Sequence, residues 1–426
     1  MRRACLLLSL AWRNLWRHAR RTMLTVLALG LGLGLLLLSL GLGDGGHEQM
    51  IVNGIKLGGG HVVIQAEGYQ LSQSQDLLIP AHVVSTVDKT LGTDRALHSV
   101  NPRLLASGLL SSAANASGVG IVGVQPHAER VVSLIPQRMV AGAYLDGEQS
   151  SGLVIGDELA KKLKVRIGSK VVLMAQAVHP QTGNRNGGGG EIQSGLFRVV
   201  GIFHTGLREL DAYLVHLALP AAQAFLQAGD QLSQIAVFLH QDSATVAAAD
   251  ALRTQFTPTE IEILTWRQAL AELARFVWLD DAFNYVMNGM ILVMVSLGVL
   301  NTMLMSVLER RYELGVCAAV GLQPAQLLTL VMYESVLLIL LSLILGLILG
   351  LGGHWYFATY GLDMRVFTET DLPVAGTVFD PILYSSLSAA RIIWAVGIVG
   401  ALALLMAAYP AWKAARTELP GALRTM

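Results

Sequence analysis

The stretch NTMLMSVLERRYELGVCAAVGLQPAQLLTLVMYES, residues 301–335, decides how this chain folds. It places a short charged segment between the end of one apolar helix and the beginning of another. The charged run from Glu309 to Glu313 is expected to end the first helix at a membrane surface, because ionised side chains cost several kcal/mol in hydrocarbon. The stretch therefore predicts an elbow between two membrane spans on the cytoplasmic side.

A short amphipathic helix is expected inside this elbow, over residues 309–326. Leu314, Cys317 and Ala318 fall at helical spacing. Gly321 suits the position after a helix C-terminus, and Pro324 suits the first turn of the next helix. An ordinary basic loop beside a membrane is the alternative, but it explains neither the glycines nor the acidic residues of the segment.

The composition indicates an integral membrane protein. Of 426 residues, 53% are hydrophobic and 14% are charged, and the mean hydropathy of +0.53 is too apolar for a soluble domain of average composition. The formal net charge is zero, and no basic stripe with interleaved aromatic residues lies outside the membrane flanks, so no nucleic acid is expected as a partner. Cys5 and Cys317 both fall in segments placed in the cytoplasm, so the exported part contains no disulfide.

The N-terminal segment carries an orientation signal. Residues 1–21 contain six arginines and no acid, which is typical of an amphipathic helix on the cytoplasmic leaflet. The apolar run at 22–42 is long enough to be the first span, and its glycines are expected to pack against another helix. A cleaved signal peptide is the alternative, but the run is long and lacks an A-x-A site.

Residues 43–281 are polar and mixed in character, so we expect them to form an exported α+β domain. The pattern predicts a strand within 59–69, a helix over 81–91, a strand over 119–125, a strand, a helix and a strand over 152–176, and two strands around a turn over 196–217. The four glycines at 187–190 are expected to form a mobile hairpin tip.

Three further spans complete the predicted topology. Residues 266–308 can form a single helix of roughly 65 Å, with 266–282 as an outward stalk and 283–308 as the second span. The remaining segments are the third span at 327–351 with the small residues Gly346 and Gly350, an exterior loop at 352–390, the fourth span at 391–408, and a cytoplasmic tail at 409–426. Lys413, Arg416 and Arg424 place the tail inside, in agreement with the N-terminal arginines.

The elbow resembles the segment that joins the second and third spans of MacB/FtsX-type ABC transporter permeases. The matching residues are Asn301, Glu309, Arg310, Glu313, Gly315, Ala319, Gly321 and Glu334. The resemblance extends to the runs at 142–145 and 155–168 and to the run FRVVGIFHTG with Asp211. It also includes the ending YPAWKAARTELPGALR, although one extra residue precedes Pro420 there. The exported runs are more similar to the LolC/LolE-like branch than to the MacB branch.

The resemblance implies an α-helical membrane protein with four transmembrane helices and a large α+β extracytoplasmic (periplasmic) domain between the first and second spans. This is the type VII ABC, or mechanotransmission, permease architecture. The resemblance further implies that the domain divides into a porter-like part, at 55–137 and 220–275, and an inserted β-rich part at 138–219.

The resemblance also implies that the elbow is a coupling helix that docks on a cytoplasmic ATPase. The residues expected to make this contact are Glu309, Arg310, Glu313, Leu314, Gly315, Ala318, Ala319 and Gly321. Asn301 and Glu334 are expected as polar groups within the membrane, and Asn284, Asn288 and Asn301 are expected to form interhelical hydrogen bonds. For Glu334, proton coupling is one interpretation, but we favour a carboxylate placed near the start of a helix, where the helix dipole stabilises it.

No catalytic, cofactor-binding or metal-binding residue is predicted in this chain. Gly168, Ser169 and Lys170 lack the upstream glycine of a phosphate-binding loop and lead into a predicted strand. The sequence contains no H-E-x-x-H, G-x-S-x-G or S-x-x-K run. ATP and Mg²⁺ are therefore expected to be bound by a separate partner ATPase.

The predicted function is that of an ABC transporter permease subunit that uses ATP hydrolysis by its partner to extract or export a lipoprotein or another amphipathic substrate. The expected partners are two copies of the ATPase, a second permease copy or a paralogue, a periplasmic adaptor or carrier protein, and membrane lipid. The alternative is an FtsX-like regulator of a periplasmic cell-wall hydrolase. The expected location is the bacterial cytoplasmic (inner) membrane, with both termini in the cytoplasm and the large domain in the periplasm.

Overall fold

The computed structural model describes residues 9, 11–13, 15–17, 19–92, 96–147, 151–178, 191–256, 260–309, 312, 316, 323–364, 373–374, 377–378 and 382–415. The chain forms two compact units. The membrane unit consists of Met1–Glu48, Trp278–Met364 and Pro381–Met426. The sheet unit consists of Gln49–Val277 and Arg365–Asp380.

Twelve helices are described, apart from the short helical runs before residue 18 and two 3-10 turns. In chain order they are α1 (Ala19–Leu57), α2 (Tyr69–Ser72), α3 (His82–Leu91), α4 (Pro126–Val132), α5 (Asp157–Leu163), α6 (Arg208–Asp211), α7 (Leu219–Leu226), α8 (Thr245–Arg253), α9 (Trp266–Ala269), α10 (Ala271–Glu309), α11 (Pro324–Tyr360) and α12 (Ala389–Ala415).

The described strands all pair antiparallel or parallel with at least one neighbour. They are β1 (Val62–Ala66), β2 (Ile79–Pro80), β3 (Leu97–Ser111), β4 (Ala116–Val124), β5 (Met139–Gly142), β6 (Gly152–Gly156), β7 (Lys170–Gln176), β8 (Ile192–Phe203), β9 (Leu214–Ala218), β10 (Gln231–Leu232), β11 (Gln234–Leu239), β12 (Ile261–Thr265), β13 (Leu362–Asp363), β14 (Pro373–Val374), β15 (Thr377–Val378) and β16 (Ile382–Leu383).

Four of the described helices are long and apolar enough to cross a membrane, which confirms the four predicted spans as helices. They cover Thr22–Leu57, Ala271–Glu309, Pro324–Tyr360 and Ala389–Lys413, with mean hydropathies between 2.2 and 2.8. Within the membrane unit, leucines of α1 such as Leu33 and Leu37 are fully buried against residues of the other three long helices. Apolar side chains of the four long helices therefore form a buried core within the membrane unit.

Two glycines of α11 allow α1 to approach closely, as predicted. A Cβ placed on Gly346 would lie 2.7 Å from Leu33 Cβ and 2.9 Å from the Gly30 carbonyl oxygen. A Cβ placed on Gly350 would lie 2.7 Å from Leu37 Cδ1. The small-residue pair is thus a packing device, because any side chain there would overlap α1.

The third span continues further than predicted. Residues 352–360 were expected to open an exterior loop, but they extend α11 to Tyr360. The extension carries exposed aromatic side chains at Trp355, Tyr356 and Tyr360. Such residues are typical of the membrane–water interface, where a helix can continue past the hydrocarbon without burying polar groups.

The prediction of one uninterrupted helix over 266–308 is wrong. The helix breaks at Leu270, whose φ of −107° and ψ of 57° separate α9 from α10. Gln70 Nε2 donates to the Ala269 carbonyl oxygen at 3.0 Å. A side chain of the sheet unit therefore takes a carbonyl that would otherwise accept an intrahelical bond, and a capping box between Thr265 and Gln268 fixes the preceding turn.

The sheet unit is built on one ten-stranded sheet with the order β12-β1-β11-β3-β4-β9-β6-β8-β5, in which β7 also pairs with β3 and β8. Most pairs are antiparallel, whereas β4 with β9 and β6 with β8 are parallel. Strands of the predicted porter-like part and of the predicted inserted part meet where Gly120 to Val124 pair with Leu214 to Ala218. One sheet therefore runs through both parts.

Most local predictions for this unit are confirmed. The strand at 59–69, the helix at 81–91 and the strand at 119–125 correspond to β1, α3 and β4. The segment 152–176 forms β6, α5 and β7, and the segment 196–217 holds parts of β8 and β9, with the short helix α6 added in the turn. The predicted hairpin tip at 187–190 lies outside the described residues.

Candidate functional site

The elbow is described only at its edges. Of the predicted coupling residues, Glu309 is the last residue of α10 and is exposed. The other seven lie outside the described residues, and their role stays a prediction: Arg310, Glu313, Leu314, Gly315, Ala318, Ala319 and Gly321. Tyr312 and Val316, which are described between them, are helical.

The two predicted intramembrane polar residues have different surroundings. Asn301 is exposed on α10, so its side chain does not face the core of the membrane unit. Glu334 is 6% exposed on α11, beside Ser335, whose hydroxyl donates to the Val331 carbonyl at 2.9 Å. Glu334 is therefore enclosed by protein, and it is not without an interaction partner.

A charged cluster that the sequence analysis missed joins three helices of the membrane unit. We call Asp44, His47, Asp280, Asp281 and Arg391 the outer cluster. His47 Nε2 contacts the Asp280 carboxylate, and His47 Nδ1 lies 3.3 Å from Asp281 Oδ1. Arg391 lies 3.1 Å from Asp44 Oδ1. The contacts tie α1 to α10 and α12 to α1.

His47 bridges the first two long helices. Its two ring nitrogens face two carboxylates of α10, those of Asp280 and Asp281. One side chain of α1 therefore contacts two neighbouring positions of α10.

Among the described residues, no hydrogen bond links the asparagines of α10 to another helix. Asn284 Nδ2 donates to the Asp280 carbonyl at 3.0 Å and to Asp280 Oδ2 at 2.9 Å, which are bonds within one helix. Asn288 is 7% exposed, and its Oδ1 has no hydrogen-bond partner. Both residues line a small cavity of about 20 Å³ beside the outer cluster, a volume that suits a single water molecule.

The sheet unit contains a second buried polar network. Arg103 donates from a terminal nitrogen to Glu129 Oε1 at 2.6 Å, and Asn101 Nδ2 lies 3.2 Å from Glu129 Oε2. The other terminal nitrogen of Arg103 donates to the Gly58 carbonyl, just after the end of α1. Burial raises the pKa of Glu129, but Arg103 and the other partners outweigh this effect and leave the pKa below its ordinary value.

His216 is enclosed in the same region. Its side chain is 3% exposed, and Nδ1 is 2.9 Å from the Tyr144 hydroxyl. Burial lowers the pKa of His216 to about 4, because the charged imidazolium loses its hydration there. His216 is therefore neutral at physiological pH.

Asp157, His204 and Asp211 form a compact group of potential metal ligands, with ligand atoms within 4.8 Å of one another. Asp211 is fully buried and already accepts bonds from Thr205 N at 3.0 Å, Thr205 Oγ1 at 2.7 Å and Gly206 N at 3.2 Å. Asp157 pairs with Lys161 at 2.8 Å. These bonds explain Asp211 as the residue that closes the turn after β8.

Comparison with known families accounts for most of the chain. Residues 22–255 match the model of the MacB-like periplasmic core domain, and residues 285–419 match that of the FtsX-like permease C-terminal. This chain belongs to the MacB/FtsX permease family. Its relatives include the lipoprotein-releasing system transmembrane protein LolC of Haemophilus influenzae, which is 25% identical over 367 residues that cover 84% of this chain and 86% of the relative.

The permease falls with the LolC/LolE-like branch of the family. The protein LolE of the same organism is 20% identical over 342 residues, which cover 79% of this chain and 80% of that relative. Among solved structures, the periplasmic region of MacB from Actinobacillus actinomycetemcomitans is 13% identical with a TM-score of 0.34, and the match covers 49% of this chain and 90% of that structure.

The predicted fold class is confirmed. The permease has the type VII ABC architecture, with four long apolar helices and a large α+β domain between the first two of them. It is an inner-membrane protein with a periplasmic domain. The family's permeases work with ATPase partners, which fits the predicted kind of partner.

Proposed function

We propose that this permease couples ATP hydrolysis by a separate cytoplasmic ATPase to work done by its periplasmic domain on a lipoprotein or another amphipathic substrate. The observation that carries this proposal is the match to LolC over 84% of the chain. Any segment of that length within this chain includes the elbow, most of the periplasmic domain and α10. We therefore propose this function for the membrane helices, the elbow and the periplasmic domain together.

The ATPase is proposed to be a different polypeptide. The sequence offers no phosphate-binding loop, so ATP and Mg²⁺ would be bound by the partner. Two ATPase copies would act on two elbows, which requires a second permease, either another copy of this chain or a paralogue. A periplasmic adaptor or carrier protein would receive the amphipathic substrate.

The elbow is the proposed site of ATPase docking. Its predicted amphipathic helix would lie in a groove of the ATPase, as in other helix-in-groove contacts. The charged residues Glu309, Arg310 and Glu313 would fix the register, while Gly315 and Ala318 would permit close approach. Both termini and the elbow would lie in the cytoplasm, as the basic residues on these segments indicate.

The alternative function is regulation of a periplasmic cell-wall hydrolase without transport. The FtsX-like permease C-terminal, which matches residues 285–419, fits this function as well as it fits transport. Both functions need the same ATPase contact, and they differ in what the periplasmic domain acts on. The identity of the periplasmic partner therefore separates them.

Replacement of Gly315 by tryptophan tests the docking site. We expect Gly315→Trp to insert into the membrane and fold, but to lose co-purification of the ATPase, because the larger side chain fills the proposed contact. The matched control is Gly118→Trp on β4, where an added Cβ meets no atom within 4 Å. Co-purification of the ATPase with Gly315→Trp at the level of wild type and of the control would refute docking at the elbow.

A further inference from the structure

A cavity of about 270 Å³ lies within the sheet unit, at the end of the helix α1 and at the break before α10. Its walls are mostly apolar and include Leu57, Val63, Leu105, Val122, Leu214 and Leu270. Seven polar side chains also line it, namely Gln65, Gln70, Arg103, Glu129, Ser133, His216 and Gln234. A lining that combines apolar walls with a smaller number of polar groups is the usual composition of a small-molecule site.

Arg103, which lines this cavity, has one unused hydrogen-bond donor. The residue is 4% exposed, and its two terminal nitrogens bind Glu129 and the Gly58 carbonyl. Its Nε is buried and has no acceptor among the described residues. A buried donor without a partner costs about 1–3 kcal/mol, so an acceptor oxygen bound beside Arg103 would remove this cost.

The charge of the lining restricts what can supply that oxygen. Arg103 and Glu129 are the charged residues among the lining side chains, and they neutralise each other. A carboxylate ligand would add a charge without a counterion in a buried place, which costs several kcal/mol. An ester, amide or ketone oxygen accepts a hydrogen bond without adding charge.

Water alone fits the apolar part of this lining poorly. A buried water needs 2–4 polar partners, and the leucine and valine side chains offer none to the waters that would lie against them. The hydrocarbon part of a ligand would contact these walls favourably. A molecule with an acceptor at one end and hydrocarbon at the other matches both parts of the cavity.

We propose that this cavity is a binding site for a small uncharged amphiphile of the acyl ester or acyl amide class, whose carbonyl oxygen accepts the Arg103 Nε hydrogen and whose hydrocarbon lies against Leu57, Leu105 and Leu214. The bound molecule lies beside Gly58 and Ala269, whose carbonyls are held by Arg103 and Gln70. Binding therefore adds contacts to the segments that follow α1 and precede α10. The site does not depend on ATPase docking or on transport.

The experiment uses the full-length permease in phosphatidylcholine nanodiscs and three probes with the same pentyl group: N-methylhexanamide, hexanoate and pentylammonium. Binding is followed by ligand-observed NMR and by the unfolding temperature. We expect saturable binding and a rise in unfolding temperature with the amide, and binding weaker by about tenfold or more with either charged probe. Equal responses to all three probes, or no saturable response to the amide, would mean that the cavity holds only water and would overturn the proposal.

Two variants locate the binding. Leu105→Trp fills the cavity, and we expect it to weaken amide binding by about tenfold or more. Leu109→Trp, at an exposed position four residues further along β3 that does not line the cavity, should bind as wild type does. Arg103→Lys keeps the charge opposite Glu129 but removes the Nε donor, and it should lose the preference for the amide over hexanoate. Amide binding that is unchanged in folded Leu105→Trp or Arg103→Lys protein would place the probe elsewhere and contradict the proposal.

Discussion

Individual ionisable residues of the sheet unit are buried with defined partners. Arg103 and Glu129 are both at most 5% exposed in their side chains and lie 2.6 Å apart. Removal of one member of such a pair leaves an uncompensated charge and typically costs about 3–5 kcal/mol. The pair is therefore needed for the fold, whichever ligand the cavity beside it holds.

His216 should make the sheet unit sensitive to acid. Its pKa is about 4 in the folded protein and about 6.5 in the unfolded chain, so the unfolded chain binds the proton first as the pH falls. The free energy of unfolding therefore has its full value above the pKa of His216 in the unfolded chain. It decreases as the pH falls towards the pKa of His216 in the folded protein. Between pH 7 and pH 5 the loss is about 2 kcal/mol.

Denaturant unfolding of the full chain at pH 7 and pH 5 measures this loss, with His216→Asn as the comparison. The asparagine cannot be protonated in this range. On acidification, the free energy of unfolding of the variant should therefore fall by about 2 kcal/mol less than that of wild type. Identical acid sensitivity in the two proteins would show that His216 is not the responsible group.

The outer cluster could be anticipated only in part. Asp44 and Asp280 flank the first two predicted spans at the same side of the membrane, so carboxylates near one interface were visible in the sequence. Their pairing was not, because His47 and Asp280 are 233 residues apart. The register between α1 and α10 decides which side chains meet, and no local pattern encodes this register.

Among the helices, the contact between α1 and α11 rests on glycine. Gly346 and Gly350 lie one turn apart and face leucines of α1 at distances that leave no room for a side chain. Gly352 lies on the same helix, where a Cβ meets no atom within 4 Å. The helix thus offers a tight position and an open position for the same substitution.

Gly346→Val should destabilise the membrane unit by about 1–3 kcal/mol relative to Gly352→Val, which is the usual cost of overpacking. Both changes alter helix propensity in the same way, so their difference reports the contact with α1. Thermal unfolding of the two purified variants in detergent measures it. Equal unfolding temperatures would mean that α1 and α11 are not closely packed at Gly346.

The elements themselves were largely predictable, because their signals are local. Apolar runs marked the four long helices, and short alternating segments marked strands such as β1 and β4. The break at Leu270 was not predictable, since it depends on Gln70, a residue 199 positions away from the carbonyl that it binds. Proline and glycine, the usual signals of a helix break, are absent from residues 266–271.

At the level of the whole molecule, the order of the ten strands could not be predicted from the sequence alone. Periodicity identifies a strand, but the pairing of β4 with β9 joins segments that are about ninety residues apart. The family resemblance supplied the division into two parts, and the structure adds that one sheet continues through both.

The proposed orientation places the sheet unit outside the cytoplasm and the elbow inside. Cysteines introduced singly at the exposed positions Ala113 and Gln323, in a chain whose Cys5 and Cys317 are replaced by serine, test this topology. A membrane-impermeant thiol reagent should label position 113 from the periplasmic side and leave position 323 unlabelled until the membrane is opened. Labelling of position 323 in intact spheroplasts would contradict the four-span topology.

In the proposed function, ATP hydrolysis by the partner drives release of an amphipathic substrate. The most direct measurement reconstitutes the permease with its ATPase and partner permease in liposomes that carry a fluorescent lipoprotein, and follows release to a soluble carrier protein. We predict release that requires ATP and that Gly315→Trp abolishes. ATP hydrolysis without release, together with ATP-dependent activation of a bound cell-wall hydrolase, would contradict the coupling of hydrolysis to substrate release and would favour the regulatory function.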